Sequence, residues 1–132
     1  MRCAYKTAAA RPTVGGEPGA AQRLHHLLRH RLRKSDILGR YGGEEFIVAL
    51  VDCALDDARA VMASVCERLS RIVFNAGDQE FSVTVSIGLA RMNDYPTVEA
   101  AIEAADKALY ERKQSGRNGV SLAPDSNLGR TG

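Results

Sequence analysis

The stretch RYGGEEFIVALV, Arg40 to Val51, decides how this chain is read. Gly42 and Gly43 give the backbone freedom to reverse. A short extended piece, Ile37 to Tyr41, precedes them, and an apolar run, Phe46 to Val51, follows. Two such runs about a glycine pair predict a β-hairpin. A turn accounts for the glycines but not for Glu44 and Glu45 beside them. Side chains alternate along a strand, so the two carboxylates are expected to point opposite ways, or one to project from the turn itself. Adjacent acids here suit a solvated turn. They equally suit a hard cation, because Mg²⁺ takes a few carboxylates together with phosphate oxygens and water.

Working outward, Leu24, Leu27, Leu28 and Leu32 recur at helical spacing before the hairpin, with Arg and His on the opposite face. After it, Ala58, Val61, Met62, Val65, Leu69 and Ile72 predict the buried stripe of a helix over Asp56 to Ile72. Asp56 and Asp57 suit its first turn, where the helix dipole favours negative charge. NAGDQ, Asn75 to Gln79, reads as a turn, and EFSVTVSIGLAR, Glu80 to Arg91, alternates as one strand. Thr97 can cap a last helix to about Ser115, with Val98, Ala101, Ile102, Ala105, Ala108 and Leu109 inward and Gly116 at its C-cap. The order helix, hairpin, helix, strand, helix predicts an α+β fold, a layered α/β sheet with helices packed on it.

The 132 residues suffice for one domain. No stretch approaches the roughly 18 apolar residues of a membrane span, and the N-terminus lacks the apolar block of a secretory signal. No membrane segment and a cytoplasmic location are therefore expected. Three cysteines, Cys3, Cys53 and Cys66, form no CxxC pair, so reduced thiols are expected, with Cys66 in the core. Residues 1–41 carry nine Lys/Arg against two Asp/Glu, a net of +7, whereas residues 42–132 carry nine against fourteen, a net of −5. The basic half points to an anionic ligand. Nucleic acid is the weakest choice, because no aromatic residues accompany the basic face and the chain has no Trp. His26 and His30 lie one helical turn apart, a spacing at which two imidazoles can share a metal ion, on a face otherwise read as solvated.

Three segments in order, RYGGEEF with its apolar strand, VTVSIGLA (Val83 to Ala90) and ADKALYERKQSGRN (Ala105 to Asn118), resemble the GGDEF family of bacterial diguanylate cyclases. The family signature admits Glu at the position of Glu44. The resemblance implies a nucleotidyl-cyclase, palm-like sheet flanked by helices. It implies condensation of two GTP molecules into cyclic di-GMP with release of pyrophosphate, dependent on Mg²⁺ (or Mn²⁺), by two domains meeting as a homodimer. Gly42 and Gly43 would lie against the nucleotide. Glu44 would be a metal ligand, and Glu45 would assist at the metal or at the attacking 3′-hydroxyl. Lys113 and Arg117, four residues apart and so expected one helical turn apart, would face the terminal phosphates. Arg33 and Asp36 match the family's RxxD product-inhibitory motif at its offset before Gly42, with Arg40 as a further member.

The sequence also departs from the family. The family domain opens with a strand, a helix and a second apolar strand carrying a metal-binding Asp, followed by FKxxND and GHxxGD segments. None precedes the first helix here, and Glu17 is the only acid in residues 1–20. The expectation is an N-terminally truncated domain: residues 1–19 a disordered leader, 20–120 a partial GGDEF domain, 121–132 a disordered tail. Its sheet would lack the first strand–helix portion and a central strand, a gap that a second copy could fill by strand exchange. The functional alternative to a cyclase is a catalytically inactive module that binds cyclic di-GMP through the RxxD site.

Overall fold

Alternation of buried and half-buried residues along Glu45–Leu50 sets the sheet: Phe46, Val48 and Leu50 turn into the core while Glu45, Ile47 and Ala49 turn to the other face. In the computed structural model, which describes residues 3–9, 19–42, 45–116 and 118–123, this run is one strand of a five-stranded sheet. The elements are β1 (Cys3–Ala9), α1 (Ala20–Arg31), β2 (Ile37–Gly42), β3 (Glu45–Leu50), α2 (Leu55–Ser70), β4 (Phe74–Ala76), β5 (Gln79–Phe81), β6 (Val85–Arg91), α3 (Val98–Gln114) and β7 (Gly119–Leu122). A single turn of 3-10 helix, Met92–Asp94, joins β6 to α3. Strand order in the sheet is β2-β3-β1-β6-β7, antiparallel except for the parallel β6–β7 pair.

Helices cover both faces. Leu24 and Leu28 of α1 and Met62, Val65 and Leu69 of α2 share one core with Phe46, Val48, Leu50, Val85, Ile87 and Leu89. On the opposite face α3 lies against β6 through Ala101, Ala105 and Ala108, all buried. This approach is so close that Gly88 of β6 has no room for a side chain: a Cβ there would sit 2.0 Å from the carbonyl oxygen of Ala105. Thr97 caps α3 as its sequence position suggests, its Oγ1 accepting a bond from Ala100 N at 3.0 Å. Gly116 follows the helix with φ of 119°.

Four sequence expectations are corrected. Residues 3–9 are not a structureless leader. They form β1, the middle strand of the sheet, antiparallel to both β3 and β6, with Thr7 in register with Phe46 on one side and Ile87 on the other. The α+β palm-like reading stands, but the expected gap in the sheet is filled from within the chain, and strand exchange has no gap to close. Without this segment the edges of β3 and β6 would present unpaired amides and carbonyls, and pairing both offsets the weak strand preference of CAYKTAA. The tail expectation fails over Ser121 and Leu122, which belong to β7. Parallel pairing with β6 holds them, and the Ala123 amide donates to Leu89 O at 2.8 Å.

The single strand expected over Glu80–Arg91 is two. β4 and β5 form a separate hairpin that turns at Gly77, whose φ of 65° suits glycine, with Phe74 stacked on Phe81 at 5.6 Å. Period two cannot reveal the break, because Ser82–Thr84 continue the same alternation. α3 ends at Gln114 with Ser115 as its C-cap.

Cys66 lies in the α2 face of the core, its thiol directed at Val85 O at 3.6 Å. Burial pushes this thiol up to about 11 from an ordinary value of 9.0. The folded state thus holds the proton more tightly than the unfolded state. The stability this thiol contributes is full below pH 9.0, the unfolded value, and is lost as pH rises through about 11. Urea midpoints should decline over that window, and a Cys66→Ala chain should lose this part of the decline. At neutral pH, thiol titration of the folded chain should leave Cys66 unmodified until urea is added.

Candidate functional site

The β2–β3 hairpin closes on the pair Gly42 and Glu45, with a bulge between Arg40 and Gly42. Bulges of this kind re-aim residues beside a turn. Gly43 and Glu44 lie outside the described residues. Glu45 begins β3, half-buried and in register with Ala8 of β1. Its orientation is fixed by the next residue. Phe46 is buried to 1% on the α1 side, with the His25 ring 6.1 Å away, so strand alternation turns Glu45 toward the face that α3 covers. Lys113 is half-buried in the last turn of α3. Arg117 lies outside the described residues.

Arg33 and Asp36 come together, but in unequal roles. Asp36 is buried, its side chain only 2% exposed. Its Oδ2 accepts the Arg33 amide at 2.8 Å and its Oδ1 accepts the Val51 amide at 3.1 Å. This carboxylate therefore clasps the turn after α1 to the end of β3. The Arg33 side chain, 56% exposed, lies 3.6 Å from Asp36 Oδ1 and donates to the Val51 carbonyl. Asp36 positions the turn and Arg33 presents a guanidinium. Arg40 lies in β2, in register with Phe46.

Beside this pair is a cavity of about 230 Å³ between the end of α1, the end of β3 and the start of α2. Arg31, Asp52, Cys53 and Asp57 line it together with Arg33 and Asp36. Sequence reading missed the first four. Arg31 read as solvated helix surface and Asp57 as a helix-dipole partner. Nothing in their spacing shows that the loop after β3 folds back beside Arg33. Burial pushes the Cys53 thiol up, an effect that Arg33 partly offsets.

Among the described residues no three His, Cys, Asp or Glu side chains gather to hold a metal ion. The strand beside Glu45 contributes no carboxylate, since β1 is CAYKTAA. Among the described residues the hairpin offers one carboxylate, Glu45, an oxygen donor of the kind a hard cation takes together with phosphate oxygens and water. No described helix is long and apolar enough to cross a membrane.

The sheet order and the glutamate hairpin define a palm-like α+β domain of the nucleotidyl-cyclase type. Residues 20–119 match the family model described as diguanylate cyclase, GGDEF domain. The chain is 37% identical over 101 residues to diguanylate cyclase A of Treponema denticola, covering 76% of this chain and 27% of that protein. It is 38% identical over 96 residues to the response regulator PleD of Caulobacter vibrioides, covering 70% of this chain and 21% of PleD. The fold is shared with the c-di-GMP complex of the GGDEF domain of DgcB from Caulobacter crescentus, with a TM-score of 0.81 at 23% identity over 92% of this chain and 77% of that one. It is shared also with the active GGEEF domain of a diguanylate cyclase from Vibrio cholerae, with a TM-score of 0.79 at 19% identity over 93% of this chain and 83% of that one. This chain belongs to the GGDEF domain family of diguanylate cyclases. It spans about a quarter or less of the length of these curated relatives.

Proposed function

We propose that the chain is a diguanylate cyclase domain, joining two GTP molecules into cyclic di-GMP with loss of two pyrophosphates. The observation that carries this reading is the hairpin closed by Gly42 and Glu45 at the end of a palm-like sheet, within the family match. In each of two equivalent steps the 3′-hydroxyl of one GTP attacks the α-phosphorus of the other, and the pyrophosphate bond breaks. Glu45 receives the hydroxyl proton or steadies the ion beside it. Gly42 and Gly43 allow the nucleotide against the backbone, and Lys113 with Arg117 meets the terminal phosphates. Mg²⁺ or Mn²⁺ carried by the nucleotide would rest on Glu44 and Glu45 and neutralise phosphate charge. One GTP per domain requires two copies face to face, in the cytoplasm where GTP is available.

A second reading, a module that binds cyclic di-GMP without turnover, is favoured by one observation: the middle strand beside Glu45 carries no acid, while Arg33 stands at a cavity. Its guanidinium suits paired hydrogen bonds to phosphate or guanine. Incubation of the full chain with GTP and Mg²⁺, followed by chromatography, separates the two. Cyclic di-GMP formed by the chain and abolished in Glu45→Ala supports the cyclase. Calorimetric binding of cyclic di-GMP without turnover, lost in Arg33→Ala, supports the module. Absence of both signals sinks both readings.

A further inference from the structure

The His26 and His30 imidazoles have no part in either reading, yet they form a close pair of metal-ligating side chains on α1. They stand one turn apart with ring centroids 4.3 Å apart and planes inclined at 69°. Both are exposed, so turning their nitrogens outward disturbs no core contact. We propose that they form a two-imidazole site for a borderline transition-metal dication such as Zn²⁺.

The geometry is close to what such an ion needs. With metal–nitrogen bonds of about 2 Å, two imidazole centroids on one tetrahedral ion lie ~5 Å apart. The observed 4.3 Å needs only a slight opening and a rotation about exposed side-chain bonds. The chemical class follows from the donors. Neutral nitrogen ligands suit Zn²⁺, Ni²⁺ or Cu²⁺, whereas Mg²⁺ and Ca²⁺ require oxygen. Arg29 and Arg31 on the same helix oppose a cation, and the negative end of the helix dipole in this last turn favours one. Among the described residues there is no third ligand, so water completes the coordination.

The position gives the site a consequence. α1 ends at Arg31, Leu32 is its C-cap, and Arg33 follows. An ion bridging His26 and His30 fastens the last turn of α1, the turn from which Arg33 is delivered to its cavity. Metal loading is thus a means of stiffening the presentation of Arg33, whichever nucleotide reading holds.

Calorimetric titration of the full chain with ZnCl₂, in the absence of nucleotide, tests this directly. One Zn²⁺ per chain is expected, with a matching rise in melting temperature. Either His26→Gln or His30→Gln should weaken binding by at least the about tenfold that even an outer partner of a metal site is worth. His25→Gln should not, because His25 faces Phe46 instead of the pair. Circular dichroism of each variant confirms that it is folded. No heat of binding, equal binding in His30→Gln, or equal weakening in His25→Gln would overturn the proposal.

Discussion

Gly88→Ala will cost the domain most of its stability. The added Cβ would sit 2.0 Å from Ala105 O and 2.5 Å from Leu109 N. Both are backbone atoms of α3, so no side-chain rotation relieves the overlap, and the helix itself must lift from the sheet. Lifting it uncovers Ala101, Ala105, Ala108 and Leu109, all buried in the folded chain. Overpacking that a core can partly absorb costs about 1–3 kcal/mol. Here the obstacle is rigid, and a loss of at least ~3 kcal/mol is expected against a total of roughly 5–15 kcal/mol for a domain of this kind. Urea unfolding followed by circular dichroism should show a midpoint far below the parent's or no cooperative transition. Gly39→Ala is the control, because a Cβ there meets only Ile47 O at 4.0 Å. Parent-like unfolding of Gly88→Ala would mean that α3 does not rest on β6 as described.

That glycine illustrates what the sequence made legible and what it did not. VTVSIGLA was readable as a strand from its alternation, and Gly88 stood in it without a local reason. Its reason lies in α3, seventeen residues further on at Ala105, where small residues bring two backbones together. Helices α1, α2 and α3 were readable because each buries a stripe with its own periodicity. β1 was not, because a short alanine-rich segment becomes a strand only by supplying two neighbours with partners. The β4–β5 hairpin was hidden in the same way, since the register break leaves alternation intact. At the site, spacing brought Arg33 and Asp36 to notice but could not rank them. Only burial and hydrogen bonding separate the buried Asp36 carboxylate, bonded to backbone amides, from the exposed Arg33 guanidinium.

Substitution of Asp36 puts that division of roles to its strongest test. Asp36→Ala leaves the Arg33 and Val51 amides without the acceptor that each now has. Each abandoned amide costs about 1–3 kcal/mol, so a total loss of roughly 2–6 kcal/mol is expected. The turn after α1 then loosens, and cyclic di-GMP binding should fall with stability. Arg33→Ala should behave differently. Its side chain is 56% exposed and its pairing with Asp36 is correspondingly screened, so stability should change by no more than ~1 kcal/mol while binding is lost. Asp36→Asn keeps one acceptor oxygen and should fall between parent and Asp36→Ala in urea midpoint. Paired measurements of urea midpoint and calorimetric affinity distinguish a clasp from a ligand. A clasp predicts that affinity follows stability across the Asp36 variants, whereas a direct ligand predicts that Asp36→Ala loses binding with its midpoint intact. The second pattern would return Asp36 to the ligand role that its spacing first suggested. The first would leave Arg33 as the recognising group, held in place by a buried carboxylate.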